Sequence, residues 1–135
     1  MTTEHDAIPG TEYCGNDHYE EQLADMKEID QYIFFDLYQD FTDSTAIYPP
    51  EKGLEYTALG LASEAGEFAG KVKKAIRDNT WDLDAMAAEL GDVLWYVARA
   101  AAELDYHLSD VAKDNVEKLK SRMERNVVKG DGDNR

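Results

Sequence analysis

The chain is poor in cysteine, histidine and basic residues, and each shortage narrows the possible classes of function. Cys14 is the single cysteine among 135 residues, so no disulfide can form within the chain. A reducing, cytoplasmic setting is therefore expected. The three histidines, at positions 5, 18 and 107, form no cluster in the sequence. Cysteine and histidine thus show no metal-site spacing, and we assign them no role.

Bases are outnumbered by acids, which limits the partners. Lys and Arg total 14 against 29 Asp and Glu, a formal net charge of −15. The negative electrostatic field of such a chain repels phosphate backbones and anionic lipid. We therefore expect no bulk nucleic acid and no membrane partner. The most apolar stretch, residues 93–102, is too short to span a bilayer and contains Arg99. A small phosphorylated ligand is compatible, because local bases and a bound cation can reverse the local field.

Apolar residues recur at three- and four-residue steps and predict four helices. No stretch alternates polar and apolar residues long enough to favour a strand. The start of the fourth helix has two candidate caps, His107 and Ser109. Short connections favour an all-α, antiparallel four-helix bundle. The expected helices span about residues 19–41, 55–77, 83–104 and 108–125.

One helical domain is expected over residues 18–128. Residues 1–17 are acidic and lack an apolar core, which predicts a loose leader and no secretory signal. Residues 129–135 contain two glycines and are typical of a loop-like tail. The first and third helices look too apolar for a monomer of this length, so we expect an oligomer.

Two helices each carry a pair of acids three residues apart: Glu64 with Glu67, and Glu89 with Asp92. Residues at this spacing share one helix face, and the intervening chain can turn and return antiparallel. Four carboxylates converging among apolar residues repel one another unless a cation lies between them. Oxygen ligands suit Mg²⁺, with Mn²⁺ as an alternative. The pattern predicts a metal site, in preference to ordinary surface ion pairs.

Two further features bear on the acidic pairs. Gly66 and Gly91 stand just before the last acid of each pair and predict a close approach of the helices there. A di-iron carboxylate site is less favoured, because such bundles use Glu-x-x-His and neither pair has a histidine in that place.

Several residues near the acids are candidates for phosphate contacts, since Mg²⁺ with a few bases is a usual combination for polyphosphate. Lys71 and Lys74 follow Glu67 along one face of the second helix. Tyr96 follows Asp92 by four residues, and three polar residues share a face of the fourth helix. The alternative is that these bases are ordinary solvated helix positions. We expect the two candidate bases of the fourth helix, Lys118 and Arg122, to be exposed to solvent. The candidates are Lys71, Lys74, Tyr96, Asn115, Lys118 and Arg122.

The order of these motifs resembles a known family. Residues 60–67 (GLASEAGE), 89–96 (ELGDVLWY) and 115–119 (NVEKL), together with Arg122, are similar to MazG-like nucleotide pyrophosphohydrolases of the all-α NTP pyrophosphatase superfamily. The resemblance implies Mg²⁺-dependent hydrolysis of a (deoxy)nucleoside triphosphate to the monophosphate and pyrophosphate. It also implies homodimers or homotetramers whose sites are completed between subunits.

The resemblance further implies residue roles. Metal ligation falls to Glu64, Glu67, Glu89 and Asp92, and either Glu64 or Glu67 could activate the attacking water. Substrate contacts fall to the six candidates above, while the first helix and the loop at residues 48–50 would hold the base. Two alternatives stay open: hydrolysis of another nucleotide pyrophosphate bond, as in an alarmone or a damaged nucleotide, and a non-catalytic helical interaction module. The acidic quartet favours an enzyme, because such a module has no need of it.

Overall fold

Helices form all the regular structure of residues 31–129, the part of the chain that the computed structural model describes. This confirms the predicted all-α class. Each described boundary lies within two residues of its predicted position, while the predicted leader and the beginning of the first helix lie outside the described residues. The elements are α1, Gln31–Asp43; a 3₁₀-helix, Pro50–Lys52; α2, Gly53–Asp78; α3, Leu83–Glu103; and α4, Leu108–Glu124. None of these helices is long and apolar enough to cross a membrane.

Three of the helices end at an Asn or Asp in the left-handed conformation. Asn79, Asp105 and Asn126 have φ values of 51°, 61° and 55°. Their short polar side chains tolerate this conformation better than most residues other than glycine. After α3 the Tyr106 N–H donates to the Ala101 carbonyl at 3.0 Å, which satisfies a carbonyl left over at the helix end. The resulting short turn leads directly into α4.

The most extensive helix contact joins α2 and α3. Successive contacts pair Gly53 with Glu103, then Gly60 with Tyr96, then Glu64 with Asp92. Residue numbers rise along α2 as they fall along α3, so the two helices run antiparallel. This is the arrangement that the short turn at residues 79–82 predicts. It places the two acidic segments opposite each other.

Gln39 of α1 joins three elements through one buried amide. The side chain is 7% exposed. Its Nε2 donates to the carbonyls of Ala98, at 3.1 Å, and Tyr106, at 3.0 Å, and its Oε1 accepts from the Leu108 N–H at 3.0 Å. Beside it lies the small apolar core, formed by Ala98, Ala101 and Leu108. Gln39 therefore satisfies backbone groups that the α3–α4 turn would otherwise bury without partners.

The cap of α4 also comes from α1. His107 occupies the N-cap position, and its side chain makes no capping hydrogen bond. Instead Asp36 accepts from the Ser109 N–H at 3.1 Å and from the Ser109 hydroxyl at 2.9 Å. Both caps suggested by the local sequence are thus replaced by a carboxylate that is distant in sequence, which complements the positive end of the helix.

The prediction that Gly66 and Gly91 allow a close helix approach is wrong within this chain. A Cβ atom at either position would meet no heavy atom within 4 Å. The close approaches lie elsewhere: a Cβ on Gly53 would come within 2.0 Å of the Glu103 carboxylate. Sequence spacing marks a glycine, but the facing side chain decides whether that glycine is needed.

Replacing Gln39 with leucine should lower the free energy of unfolding by about 2–4 kcal/mol, because two carbonyls and one N–H lose their buried partner. Asp40→Ala, at the exposed neighbouring position, should change it by no more than about 0.5 kcal/mol. Urea denaturation at one protein concentration measures both variants. Equal stability of Gln39→Leu and wild type would show that Gln39 does not hold the α3–α4 turn.

Candidate active site

Three of the four predicted metal ligands converge between α2 and α3. Glu64, Glu89 and Asp92 each offer a carboxylate oxygen, and these oxygens all lie within 4.8 Å of one another. A hard divalent cation binds oxygens at about 2.0–2.6 Å, so ligands on one ion are separated by at most about 4–5 Å. The spacing and the all-oxygen donor set therefore fit Mg²⁺ or Mn²⁺.

Glu67 lies close enough to act on this cluster through its charge. The pKa of Glu64 is raised above its usual value, first by desolvation and then by the negative charges of Glu67, Asp92 and Glu89. Glu67 itself is exposed and stands outside the group of three converging oxygens. The structure thus brings three acids together and leaves the fourth at the edge.

Lys71 is the candidate base that contacts the acids. Its Nζ lies 3.1 Å from Oε1 of Glu89, with about a third of the lysine side chain exposed. A cation at that distance offsets part of the repulsion among the carboxylates. Lys74, one turn further along α2, is exposed to solvent. Of the two candidate bases of α2, Lys71 is therefore the one that contacts the acid cluster.

An aromatic cavity of about 420 Å³ opens beside the acids. The rings of Tyr48 and Tyr56 stack with centroids 5.0 Å apart, and the Tyr96 ring lies 6.4 Å from that of Tyr56. Trp95 Nε1 donates to the Thr45 hydroxyl at 2.8 Å. Two carboxylates of the cluster and several aromatic rings thus share one cavity. Its walls are Thr45, Ile47, Tyr48, Tyr56, Glu64, Asp92, Trp95 and Tyr96.

Gly60 allows the Tyr96 ring to lie against α2. A Cβ atom on Gly60 would come within 2.0 Å of the ring of Tyr96, so a larger residue would displace it. Desolvation, Tyr56 and the charges of Glu64 and Asp92 together raise the pKa of Tyr96. The Tyr96 hydroxyl therefore keeps its proton at neutral pH and can donate a hydrogen bond into the cavity.

Sequence reasoning missed part of this cavity. Tyr56 precedes Glu64 by eight residues, about two turns on the same helix face, and that spacing could have identified it. Thr45 and Ile47 carry no such signal, because they precede the 3₁₀-helix in an irregular segment. Trp95 lines the cavity as well.

The three candidates of α4 are placed differently. Asn115 and Lys118 are exposed and line a mainly apolar groove of about 700 Å³, together with residues such as Phe35 and Leu94. Arg122 is only 6% exposed, so the prediction that it is exposed to solvent is wrong. None of the three is among the residues that line the aromatic cavity described above.

Comparison with known proteins identifies the family. A family model described as the MazG nucleotide pyrophosphohydrolase domain matches residues 52–127, more than half of the chain. The chain belongs to this MazG family. It is also 48% identical over 111 residues to "Gene 37 protein" of Mycobacterium phage L5, covering 74% of this chain and 97% of that protein. No solved structure matches the chain. The family match confirms the resemblance seen in the sequence and supports a nucleotide pyrophosphohydrolase activity.

The MazG match covers the acid cluster but not the whole cavity. Tyr56, Trp95 and Tyr96 fall inside residues 52–127, as do all four acids. Thr45, Ile47 and Tyr48 precede that range and still form one wall. This wall is therefore supplied by a part of the chain that the family match does not describe.

Mg²⁺ should raise the Tm of this MazG-family chain more at about pH 7.5 than at about pH 5. Because the folded-state pKa of Glu64 is raised, folding is penalised increasingly as pH rises through that pKa, and the penalty is absent below the unfolded-state value. A bound cation removes the penalty and requires ionised carboxylates. Thermal melts with and without Mg²⁺ at both pH values measure the difference.

The matched variants are Glu64→Gln and Glu117→Gln, the second at an exposed position of α4. Glu64→Gln should reduce the Mg²⁺-induced rise in Tm, and Glu117→Gln should leave it unchanged. A rise that is equal at the two pH values and in all three proteins would contradict cation binding at the cluster.

Proposed function

We propose that this MazG-family protein hydrolyses a (deoxy)nucleoside triphosphate to the monophosphate and pyrophosphate, with Mg²⁺ held by the cluster of Glu64, Glu89 and Asp92. The observation that carries the proposal is that Glu64 and Asp92 line the same cavity as four aromatic rings. A nucleoside triphosphate has an aromatic base at one end and a polyanion at the other. A cavity lined both by aromatic rings and by carboxylates that can hold a cation matches both ends.

Size and chemistry support this choice of ligand. A volume of about 420 Å³ lies in the range of pockets for small ligands. Aromatic side chains stack on bases with roughly 1–3 kcal/mol per base, and every base has a suitable face. The metal ligands would be Glu64, Glu89 and Asp92, with Glu67 at the edge of the cluster. These residues give no preference among bases, so the proposal extends to nucleoside triphosphates as a class.

The chain's own carboxylates would carry the proton transfer. Glu64 or Glu67 would orient a water molecule and take its proton. The water oxygen bonds to phosphorus, the α–β phosphoanhydride bond breaks, and pyrophosphate leaves. When bound, Mg²⁺ offsets the charge that develops on the phosphate oxygens. Lys71, beside Glu89, and the Tyr96 hydroxyl would contact those oxygens.

Other activities remain as alternatives to test. Hydrolysis of another nucleotide pyrophosphate bond would use the same carboxylates, and a non-catalytic interaction module would use none of them. Mg²⁺-dependent pyrophosphate release from a panel of canonical nucleotides, damaged nucleotides and alarmones distinguishes the three. The module becomes the better interpretation if no member of the panel is hydrolysed.

We also propose that the protein assembles as a homodimer or homotetramer. Large apolar side chains of α1 stand in solvent within the single chain, with Phe34 73% and Phe41 67% exposed. The mainly apolar groove of Asn115 and Lys118 is equally open. Covering such surfaces stabilises an assembly by about 25 cal/mol for each Å² removed from water. A second copy on the groove would give Lys118 and Asn115 access to a neighbouring site.

Glu89→Gln should abolish turnover, because it removes one negative ligand from the cation and the counter-charge of Lys71. Far-ultraviolet circular dichroism should stay unchanged, since the amide keeps the size of the carboxyl group. Glu117→Gln serves as the exposed control with full activity. Full activity of Glu89→Gln would remove it from the site.

Lys118→Ala should lower kcat/KM by roughly ten- to a hundredfold if the residue holds a phosphate in an assembled enzyme, since a charge-assisted bond is worth about 1.5–3 kcal/mol. Lys118 is preferable to Arg122 for this test, because Arg122→Ala would also open a buried position. Light scattering on the wild type must show a particle larger than 15.2 kDa. A monomer, or near-wild-type efficiency of Lys118→Ala, would leave phosphate binding to Lys71, Lys74 and the metal.

A further inference from the structure

One wall of the aromatic cavity comes from residues 44–49, which belong to no helix. Thr45, Ile47 and Tyr48 line the cavity from this segment, while α2 and α3 supply the remaining walls. The Ile47 side chain is almost fully exposed, so apolar burial at that residue does not fix the segment. Irregular segments with few buried contacts open readily. Some other interaction must hold the Tyr48 ring in the cavity wall.

The Tyr48 hydroxyl is held by two charged residues of α3. It donates to Oε1 of Glu103 at 2.5 Å and accepts from Nε of Arg99 at 3.2 Å. Arg99 and Glu103 are four residues apart, and their charged groups lie 3.8 Å from each other. Burial and the Glu103 hydrogen bond raise the pKa of Tyr48, which keeps the hydroxyl protonated as a donor. We call Tyr48, Arg99 and Glu103 the hydroxyl clamp.

The clamp is tied to the ends of both neighbouring helices. Nη1 of Arg99 lies 3.0 Å from Oδ1 of Asp43, the last residue of α1. Gly53, the first residue of α2, lies directly under the Glu103 carboxylate, where a side chain would clash. Arg99 is 7% exposed, so its hydrogen bond to Tyr48 forms largely away from competing water, whereas its partner Asp43 is exposed. Arg99 therefore links Tyr48 to the end of α1, and Glu103 lies against the start of α2.

The position of the hydroxyl determines the position of the ring. The Tyr48 ring stacks on the Tyr56 ring with an interplanar angle of 26°. The Tyr96 ring is the next ring in space, with its centroid 6.4 Å from that of Tyr56. Stacking alone leaves the Tyr48 ring free to slide across its neighbour, because the attraction varies slowly with offset. Hydrogen bonds at the hydroxyl remove that freedom.

We propose that Arg99 and Glu103 are positioning residues that hold Tyr48 in the base-binding wall and thereby set the affinity for the base of the substrate. The proposal rests on the nucleotide substrate proposed above. Neither residue lines the cavity, and neither touches the acid cluster among the contacts described. Loss of the clamp should therefore weaken binding of the base and spare the chemistry at the phosphates.

Kinetics of three clamp variants test the inference. Tyr48→Phe keeps the ring and loses the hydroxyl, and Arg99→Lys keeps the charge and loses the planar donor group. Each should raise KM for the best nucleotide by roughly three- to tenfold, with kcat within about twofold of wild type. Glu103→Gln keeps a carbonyl oxygen that accepts from Tyr48, so its KM should lie closer to wild type than that of Tyr48→Phe. Arg77→Lys, an exposed arginine of α2, is the matched control.

Inorganic tripolyphosphate, which has no base, separates positioning from general damage. Its inhibition constant against the nucleotide should be the same in the wild type and the clamp variants. A parallel loss of tripolyphosphate affinity and kcat would mean that the clamp only supports the fold, and an unchanged KM in Tyr48→Phe and Arg99→Lys would overturn the positioning role.

Hydrogen exchange gives a readout that does not depend on activity. Amides of residues 44–52 should exchange at least about tenfold faster in Arg99→Lys and Tyr48→Phe than in wild type, while those of α2 keep their rates. If the wild type hydrolyses no nucleotide, the proposed function fails, and this measurement still decides whether the clamp holds the segment. Unchanged exchange at residues 44–52 would overturn the clamp itself.

Discussion

Antiparallel packing of α2 on α3 forces Glu64, Glu89 and Asp92 into a volume that one cation could fill. The cost of this convergence is visible in the raised pKa of Glu64, to which three neighbouring carboxylates contribute after desolvation. Lys71 offsets part of it through its ion pair with Glu89. Repulsion among these carboxylates is therefore concentrated at one point of the α2–α3 contact. A divalent cation is the simplest group that converts this repulsion into binding.

The same helix pairing also positions the aromatic wall. Gly53, Gly60 and Glu64 meet Glu103, Tyr96 and Asp92 in turn, so the clamp, the rings and the acids follow one another along the hairpin. Two of these contacts need glycine, because the side chain opposite fills the space of a Cβ atom. A shift of α2 by one residue along α3 would therefore disturb the aromatic cavity and the acid cluster together.

The sequence was sufficient to predict the features that depend on helical periodicity. The all-α class, the described helix boundaries and the convergence of acids from the two helices follow from three- and four-residue spacings and a short turn. Features that depend on which side chains face each other were not predictable. Gly66 and Gly91 were assigned a close approach that belongs to Gly53 and Gly60. The cap of α4 comes from Asp36, and Arg99 reaches Tyr48 across 51 positions, so no local pattern marks either contact.

The order of the rings and acids along the α2–α3 hairpin determines which part of the proposed substrate each could contact. Eight residues of α2 separate Tyr56 from Glu64, which at 1.5 Å per residue is about 12 Å. Tyr96, by contrast, stands four residues from Asp92, and a nucleoside triphosphate is long enough to contact Tyr56 and the acids together. With the proposed substrate, contacts of the base with the rings would add to the affinity, while contacts of the polyphosphate with the cation would orient the bond to be broken. A base-free polyphosphate would gain only the cation contacts, so loss of the clamp would weaken binding of the base and spare the chemistry at the phosphates.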